Sequence, residues 1–164
     1  MIVLGIDPGT AATGYGIVER TGSKLRAVDY GCLETLPTQE LPQRLLEIHQ
    51  AILELIETHK PSLLGVERIF FNKNVRTALS VGQARGVAIL AAAHAGCVIA
   101  EYTPLQVKQA VVGYGRAEKE QVQRMVQILL HMDHIPQPDD AADALAVAIC
   151  HIHSRAYEAR ISEG

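Results

Sequence analysis

Two short apolar runs in this chain each stop on a carboxylate, and together they restrict the fold more than any other feature. The first is Ile2 to Ile6, closed by Asp7; the second is "SLLGVE", Ser62 to Glu67. Runs of this length suit buried strands. Tyr15 to Arg20 alternates well enough to be the hairpin partner of the first run, Gly22-Ser23 signals a turn, and Leu25 to Leu33 reads as a third strand. Three antiparallel strands therefore open the chain. Pro42 to His59 then places Leu45, Ile48, Ile52, Leu55 and Ile56 at helical spacing, and Pro61 forces the break after it. Because a helix precedes it, "SLLGVE" is expected to lie parallel to the first strand. Asp7 and Glu67 then leave the sheet at the same edge, where open α/β sheets place their ligands.

The remaining pattern completes an α/β fold. Arg76 to Ala95 reads as a helix built largely from Ala and Gly, in which Gly82 and Gly86 call for a closely packed neighbour, either the sheet or a second subunit. "CVIAEY" (Cys97 to Tyr102) is a strand, and "TPLQ" supplies a cap residue in Thr103, Pro104 at the first helical position and Gln106 in the capping-box place. A short helix follows to about Val112, then a loop at Gly113 to Gly115, a helix over Ala117 to Met132, a break at Pro136 to Pro138, and a last helix from about Asp140 to Arg160. The expectation is a mixed five-stranded sheet flanked by helices. With 164 residues, 48% of them hydrophobic, the chain can bury a real core and reads as one domain, 1–164, whose last few residues form a tail.

Composition narrows the setting. No apolar run approaches the roughly 20 residues needed to span a bilayer. The amino terminus lacks the basic, apolar and cleavage regions of a secretory signal, so a soluble cytoplasmic protein with no membrane partner is expected. Cys32, Cys97 and Cys150 are odd in number and far apart, and read as buried thiols with no disulfide. The seven histidines have no closed zinc spacing and read as structural or solvated. The net charge of -3 hides an asymmetry: from Arg68 to Arg124 eight basic residues stand against three acids, a surplus of +5. A local basic face on an acidic protein is the footprint that a nucleic-acid backbone needs.

Asp140 and Asp143, in "DAAD", are three apart on a helix and share one face. Each acid has an ordinary explanation: Asp7 before Pro-Gly as a turn former, Glu67 as a solvated strand end, Asp140 as a cap and Asp143 as a favourable charge on the helix dipole. Glu67 and Asp143, however, sit in strongly apolar context ("LLGVE", "AADALAVAI"), where a bare charge needs a partner. If the four converge, their repulsion calls for cations, and an all-oxygen set suits Mg²⁺ or Mn²⁺. Two such ions about 3.5–4 Å apart clamp the attacking and leaving oxygens in phosphodiester hydrolysis. Asp139 and Asp140 would diverge by about 100° on a helix. Only one of them faces such a site, and the spacing to Asp143 favours Asp140, with Asp139 as the cap.

"GIDPGTAATGYG", "VERIFFNKN", "LSVGQARGVAI", "QVKQAVVGYGRAEKEQVQ" and "DDAADALAVAIC" occur in the order found in the RuvC family of bacterial Holliday-junction resolvases, and the chain resembles that family over nearly its whole length. The resemblance implies a ribonuclease H-like fold and a homodimer. It also implies Mg²⁺-dependent endonuclease action on four-way DNA junctions, leaving 5′-phosphate and 3′-hydroxyl ends, in recombination and repair alongside the RuvA and RuvB branch-migration proteins. The family's acidic set carries over to Asp7, Glu67, Asp140 and Asp143, holding two Mg²⁺ ions that Mn²⁺ would replace. Lys108 in "QVKQ" and Lys119 in "AEKEQ" match lysines that touch DNA near the cut, where a fixed ammonium stabilises phosphate charge. Phe70 matches the aromatic that stacks on an unpaired base, with Phe71 beside it as the alternative. Arg76, Arg85, Arg116 and Arg124 are further candidates for phosphate contacts. Two other readings stand beside the nuclease: a junction-binding module without activity, and a single-lobe nucleotide-binding protein of the actin-like ATPase superfamily, suggested by "DPGT" and its glycine hairpin.

Overall fold

Alternation along the strands decides which layer each side chain meets. The computed structural model describes residues 1–68 and 75–162, without the side chains of residues 160 and 162. Its elements are β1 (Ile2–Asp7), β2 (Ala12–Thr21), β3 (Lys24–Glu34), α1 (Leu41–His59), β4 (Leu63–Glu67), α2 (Val75–His94), β5 (Val98–Tyr102), α3 (Pro104–Val112), α4 (Lys119–Leu129) and α5 (Asp139–Ser162). The five strands form one sheet in the order β3-β2-β1-β4-β5. β1 pairs antiparallel with β2 and parallel with β4, as the two apolar runs anticipate.

On one face, Leu4 and Ile6 of β1 and Leu64 and Val66 of β4 pack with Ile48, Ile52 and Ile56 of α1 and the buried alanines of α2. On the other face, Val3 and Leu63 join α3, α4 and the central part of α5. From Ala141 to Ile152, nearly every residue of α5 is buried. A helix apolar all round must be covered all round, and this one lies between the sheet and α3 and α4. Its close seat depends on missing side chains: a Cβ on Gly5 would stand 2.0 Å from the Ala144 carbonyl oxygen.

The capping signals place the shorter helices. The Thr103 hydroxyl accepts from the Gln106 N–H at 3.1 Å while the Gln106 side chain accepts from the Thr103 N–H at 2.8 Å. α1 ends where Lys60 turns left-handed, ahead of Pro61. Three expectations need correction. α4 is shorter than Ala117 to Met132: Ala117 is buried but precedes the cap formed as Gln121 accepts from the Glu118 N–H at 2.8 Å, and the left-handed His131 ends the far side. Of the two neighbours expected for Gly86, the sheet is not the one, since among the described residues nothing lies within 4 Å of a Cβ built there. Only Cys150 is a buried thiol; Cys32 and Cys97 are half-buried. Among the described residues, no helix is long and apolar enough to cross a membrane.

Candidate active site

The same alternation that buries Val3 and Leu63 against α5 sends Asp7 and Glu67 to that face, at the carboxyl ends of adjacent parallel strands. The first turn of α5 descends on this edge. It can do so because Gly14, paired with Asp7 across β1 and β2, has no side chain: a Cβ there would stand 2.0 Å from the Asp140 carbonyl oxygen. One carboxylate oxygen from each of Asp7, Asp140 and Asp143 then lies within 4.8 Å of the others.

Three half-buried carboxylates at this spacing concentrate negative charge away from bulk water. Burial, followed by the charges of Asp143, Glu67 and Asp140, pushes Asp7 up to about 8. Burial also raises Asp143, against the lowering effect of the Lys119 ammonium. Glu67 stands apart from the tight trio. Burial and then Asp143 raise its carboxyl, and Lys108 lowers it. Together with Lys108, Lys119 and Asp143 it borders a hollow of about 220 Å³. The all-oxygen trio, undercompensated by its own lysines, fits a hard divalent cation.

Lys119, the first residue of α4, bridges to α5: its Nζ is 2.9 Å from Asp139 Oδ2 and 3.9 Å from Asp143 Oδ2. Asp139 is thus no simple cap. Its other oxygen accepts from Gln123 Nε2 at 3.1 Å, and the Pro138 carbonyl accepts from the Ala141 and Ala142 N–H groups at the helix start. Arg76 borders a second hollow, of about 440 Å³, that Asp7, Thr10 and Asp140 also line. Phe70 and Phe71 lie outside the described residues.

Several residues that hold this site have partners that the motifs do not reveal. Thr10, just past Asp7, is buried; its hydroxyl meets the Ser80 carbonyl at 2.7 Å and the Ser80 hydroxyl at 2.6 Å. Its carbonyl accepts from the Thr35 hydroxyl at 2.7 Å, which in turn accepts from Arg44 Nε at 2.7 Å. The loop after Asp7 is therefore tied to α1, α2 and the end of β3. Cys32 sits beside the trio, its Sγ 3.9 Å from Asp140 Oδ2, and burial with the nearby carboxylates pushes the thiol to about 11. Arg85, expected among the phosphate contacts, is instead paired with Glu101 at 2.6 Å with only 19% of its side chain exposed.

Known proteins resemble this chain in sequence and in fold. The family model for crossover junction endodeoxyribonuclease RuvC matches residues 3–151. The crossover junction endodeoxyribonuclease RuvC of Moorella thermoacetica is 60% identical over 151 residues, covering 92% of this chain and 90% of that protein. That of Pelotomaculum thermopropionicum is 55% identical over 161 residues, 98% of each chain. Thermus thermophilus RuvC superposes with a TM-score of 0.89 at 37% identity, covering 96% of this chain and 97% of that one. A second structure of that protein, in complex with Holliday junction substrate, gives 0.88 at 35% identity over 96% of both chains. The sheet order, the helices on both faces and these likenesses make the fold ribonuclease H-like, and the chain belongs to the RuvC family of crossover junction endodeoxyribonucleases.

Proposed function

We propose that this chain is a structure-selective endonuclease that resolves Holliday junctions by paired symmetric nicks, in recombination and DNA repair. The observation that carries the reading is the trio of Asp7, Asp140 and Asp143, with their oxygens within 4.8 Å, in a chain whose relatives are named crossover junction endodeoxyribonucleases. The solved Thermus thermophilus complex with a Holliday junction substrate supports the choice of DNA. An intact acidic trio speaks against an inactive binding module. A single sheet with no second lobe among the described residues speaks against the nucleotide-binding alternative.

Asp7, Asp140 and Asp143 would hold Mg²⁺, with Glu67 completing the shell of a second ion and Mn²⁺ as a substitute. Bound there, the metal supplies Lewis-acid activation of water and phosphate. The chain's own residues do the rest. The loop tied through Thr10 fixes Asp7, and α5 fixes the pair opposite it. Lys119, at the rim beside Asp143, and Lys108, across from Glu67, offer ammonium groups to the phosphate as its charge develops. Arg76 would meet a flanking phosphate and Phe70 an unpaired base. Residues 1–164 act as one cytoplasmic nuclease domain and pair as a homodimer through α2, where Val75, Leu79 and Leu90 are exposed and Gly86 leaves open space. A two-fold dimer suits a junction with two strands to cut. Partnership with RuvA and RuvB rests on membership of the family.

The test is incubation with a synthetic four-way junction and with linear duplex, in Mg²⁺ and in chelator. Symmetric nicks on the junction alone, requiring metal and ending in 5′-phosphate, are expected; binding in Mg²⁺ and Mn²⁺ without any cut would reject the enzyme reading. Within the same assay Lys119→Ala should slow cleavage at saturating junction by about 10²-fold. A change in affinity alone would make Lys119 a binding residue.

A further inference from the structure

We propose that Arg85, held by Glu101, is a positioning residue that fixes the backbone carrying Glu67. The inference rests on the nuclease reading above. β4 ends at Glu67, which pairs with Tyr102 at the end of β5. At this strand end the aim of the Glu67 side chain depends on the peptide unit joining it to Arg68. That unit is pinned at both ends. The Arg68 N–H donates to the Tyr102 carbonyl at 2.7 Å, and the Glu67 carbonyl accepts from Arg85 Nε at 3.3 Å.

Arg85 comes from α2, on the face of the sheet opposite the acidic trio, so it acts on Glu67 through the backbone rather than by neutralising its charge. Glu101 holds the guanidinium in place, with Oε1 2.6 Å from Arg85 Nη2. Its other oxygen lies 3.5 Å from Arg68 Nε, so one carboxylate gathers the arginine beneath the Glu67 carbonyl and the arginine that follows Glu67. A planar guanidinium can serve a carboxylate and a carbonyl at once in fixed directions; an ammonium on a flexible stem cannot hold both with the same precision. Groups that orient a metal ligand are typically worth about 10–100-fold in metal affinity or activity.

The experiment compares wild type, Arg85→Ala, Arg85→Lys and Glu101→Gln. It measures single-turnover cleavage of a saturating four-way junction across a Mg²⁺ titration, junction affinity in chelator, and the rise in melting temperature caused by Ca²⁺ without DNA. For Arg85→Ala, the expected results are a half-maximal Mg²⁺ concentration about 10-fold higher, partial recovery at high Mg²⁺, a smaller Ca²⁺-induced rise, and junction affinity within twofold of wild type. Arg85→Lys should recover only part of the loss. Glu101→Gln, which keeps side-chain size, should move the same readouts in the same direction and decides the matter if Arg85→Ala does not fold. Unchanged Mg²⁺ and Ca²⁺ responses in the folded variants would overturn the proposal, as would weakened junction binding with normal turnover, which would make Arg85 a phosphate contact. A wild-type protein that never cuts would instead sink the nuclease reading.

Discussion

Asp7→Asn is expected to reduce junction cleavage to background, a loss of at least about 10³-fold, with junction affinity nearly unchanged. The amide keeps the size and the hydrogen-bonding reach of the side chain but removes the charge that a divalent cation requires at the centre of the trio. The same variant should be more stable than wild type without metal at high pH. The Asp7 carboxyl ionises near 3.8 in the unfolded chain and near 8 in the folded protein. Between those values the folded state keeps a proton that the unfolded state has released, so the contribution of Asp7 to stability is fully present below about pH 4 and is lost as the pH rises toward 8. Asparagine does not titrate. In chelator at pH 8, Asp7→Asn should therefore melt at least about 2–4 °C above wild type, the shift for about 1 kcal/mol in a domain of this size. At low pH the gap should close. Thermal melts in chelator across this range check it; a variant that still nicks junctions, or that loses stability relative to wild type at pH 8, contradicts the role given to Asp7.

Gly14→Ala is the second large effect. The added Cβ would stand 2.0 Å from the Asp140 carbonyl oxygen and 2.4 Å from its carbonyl carbon, so backbone must move. Overpacking of this kind typically costs about 1–3 kcal/mol. The greater loss should be in rate, because the strand at Gly14 also pairs with Asp7, and lifting α5 separates the trio. A displacement of about 1 Å at a reacting centre can cost about 10²-fold. The expected result is a folded protein with a lowered melting temperature whose single-turnover cleavage falls about 100-fold. Normal cleavage in a variant that melts like wild type would mean that α5 tolerates the displacement and that Gly14 does not set the trio's spacing.

Most of the sheet was legible in sequence because each strand is short, apolar and bounded. The carboxylates closing β1 and β4 were legible for the same reason, since a parallel pair brings its ends to one edge. Spacing to Asp143 and the family pattern together favoured Asp140 over Asp139, and the structure groups Asp140 and Asp143 with Asp7. What spacing could not supply was the occupation of groups whose partners are remote in sequence. Arg85 looks like a surface arginine until Glu101 and the Glu67 carbonyl are found beside it. Asp139 looks like a cap until Lys119 and Gln123 fill both of its oxygens. Thr10 and Thr35 are small polar residues whose value lies in a chain of hydrogen bonds that ties the loop after Asp7 to α1, α2 and the end of β3. Helix ends were misjudged where burial and helicity part company: Ala117 is buried, yet it belongs to the loop ahead of α4.

The placement of α5 also bears on how the protein comes into being during synthesis. Asp7 and Glu67 lie in the first half of the sequence, and Asp140 and Asp143 belong to α5, the last of the described elements. A ribosome that has released only β1 to α4 has made a chain with two of the acids but without the helix that covers their face of the sheet. Such a nascent chain cannot assemble the trio. The proposed site is therefore complete only once α5 has been made and lies against the sheet, where Asp140 and Asp143 stand beside Asp7. A chain abandoned before α5 carries only Asp7 and Glu67 of the proposed acidic set.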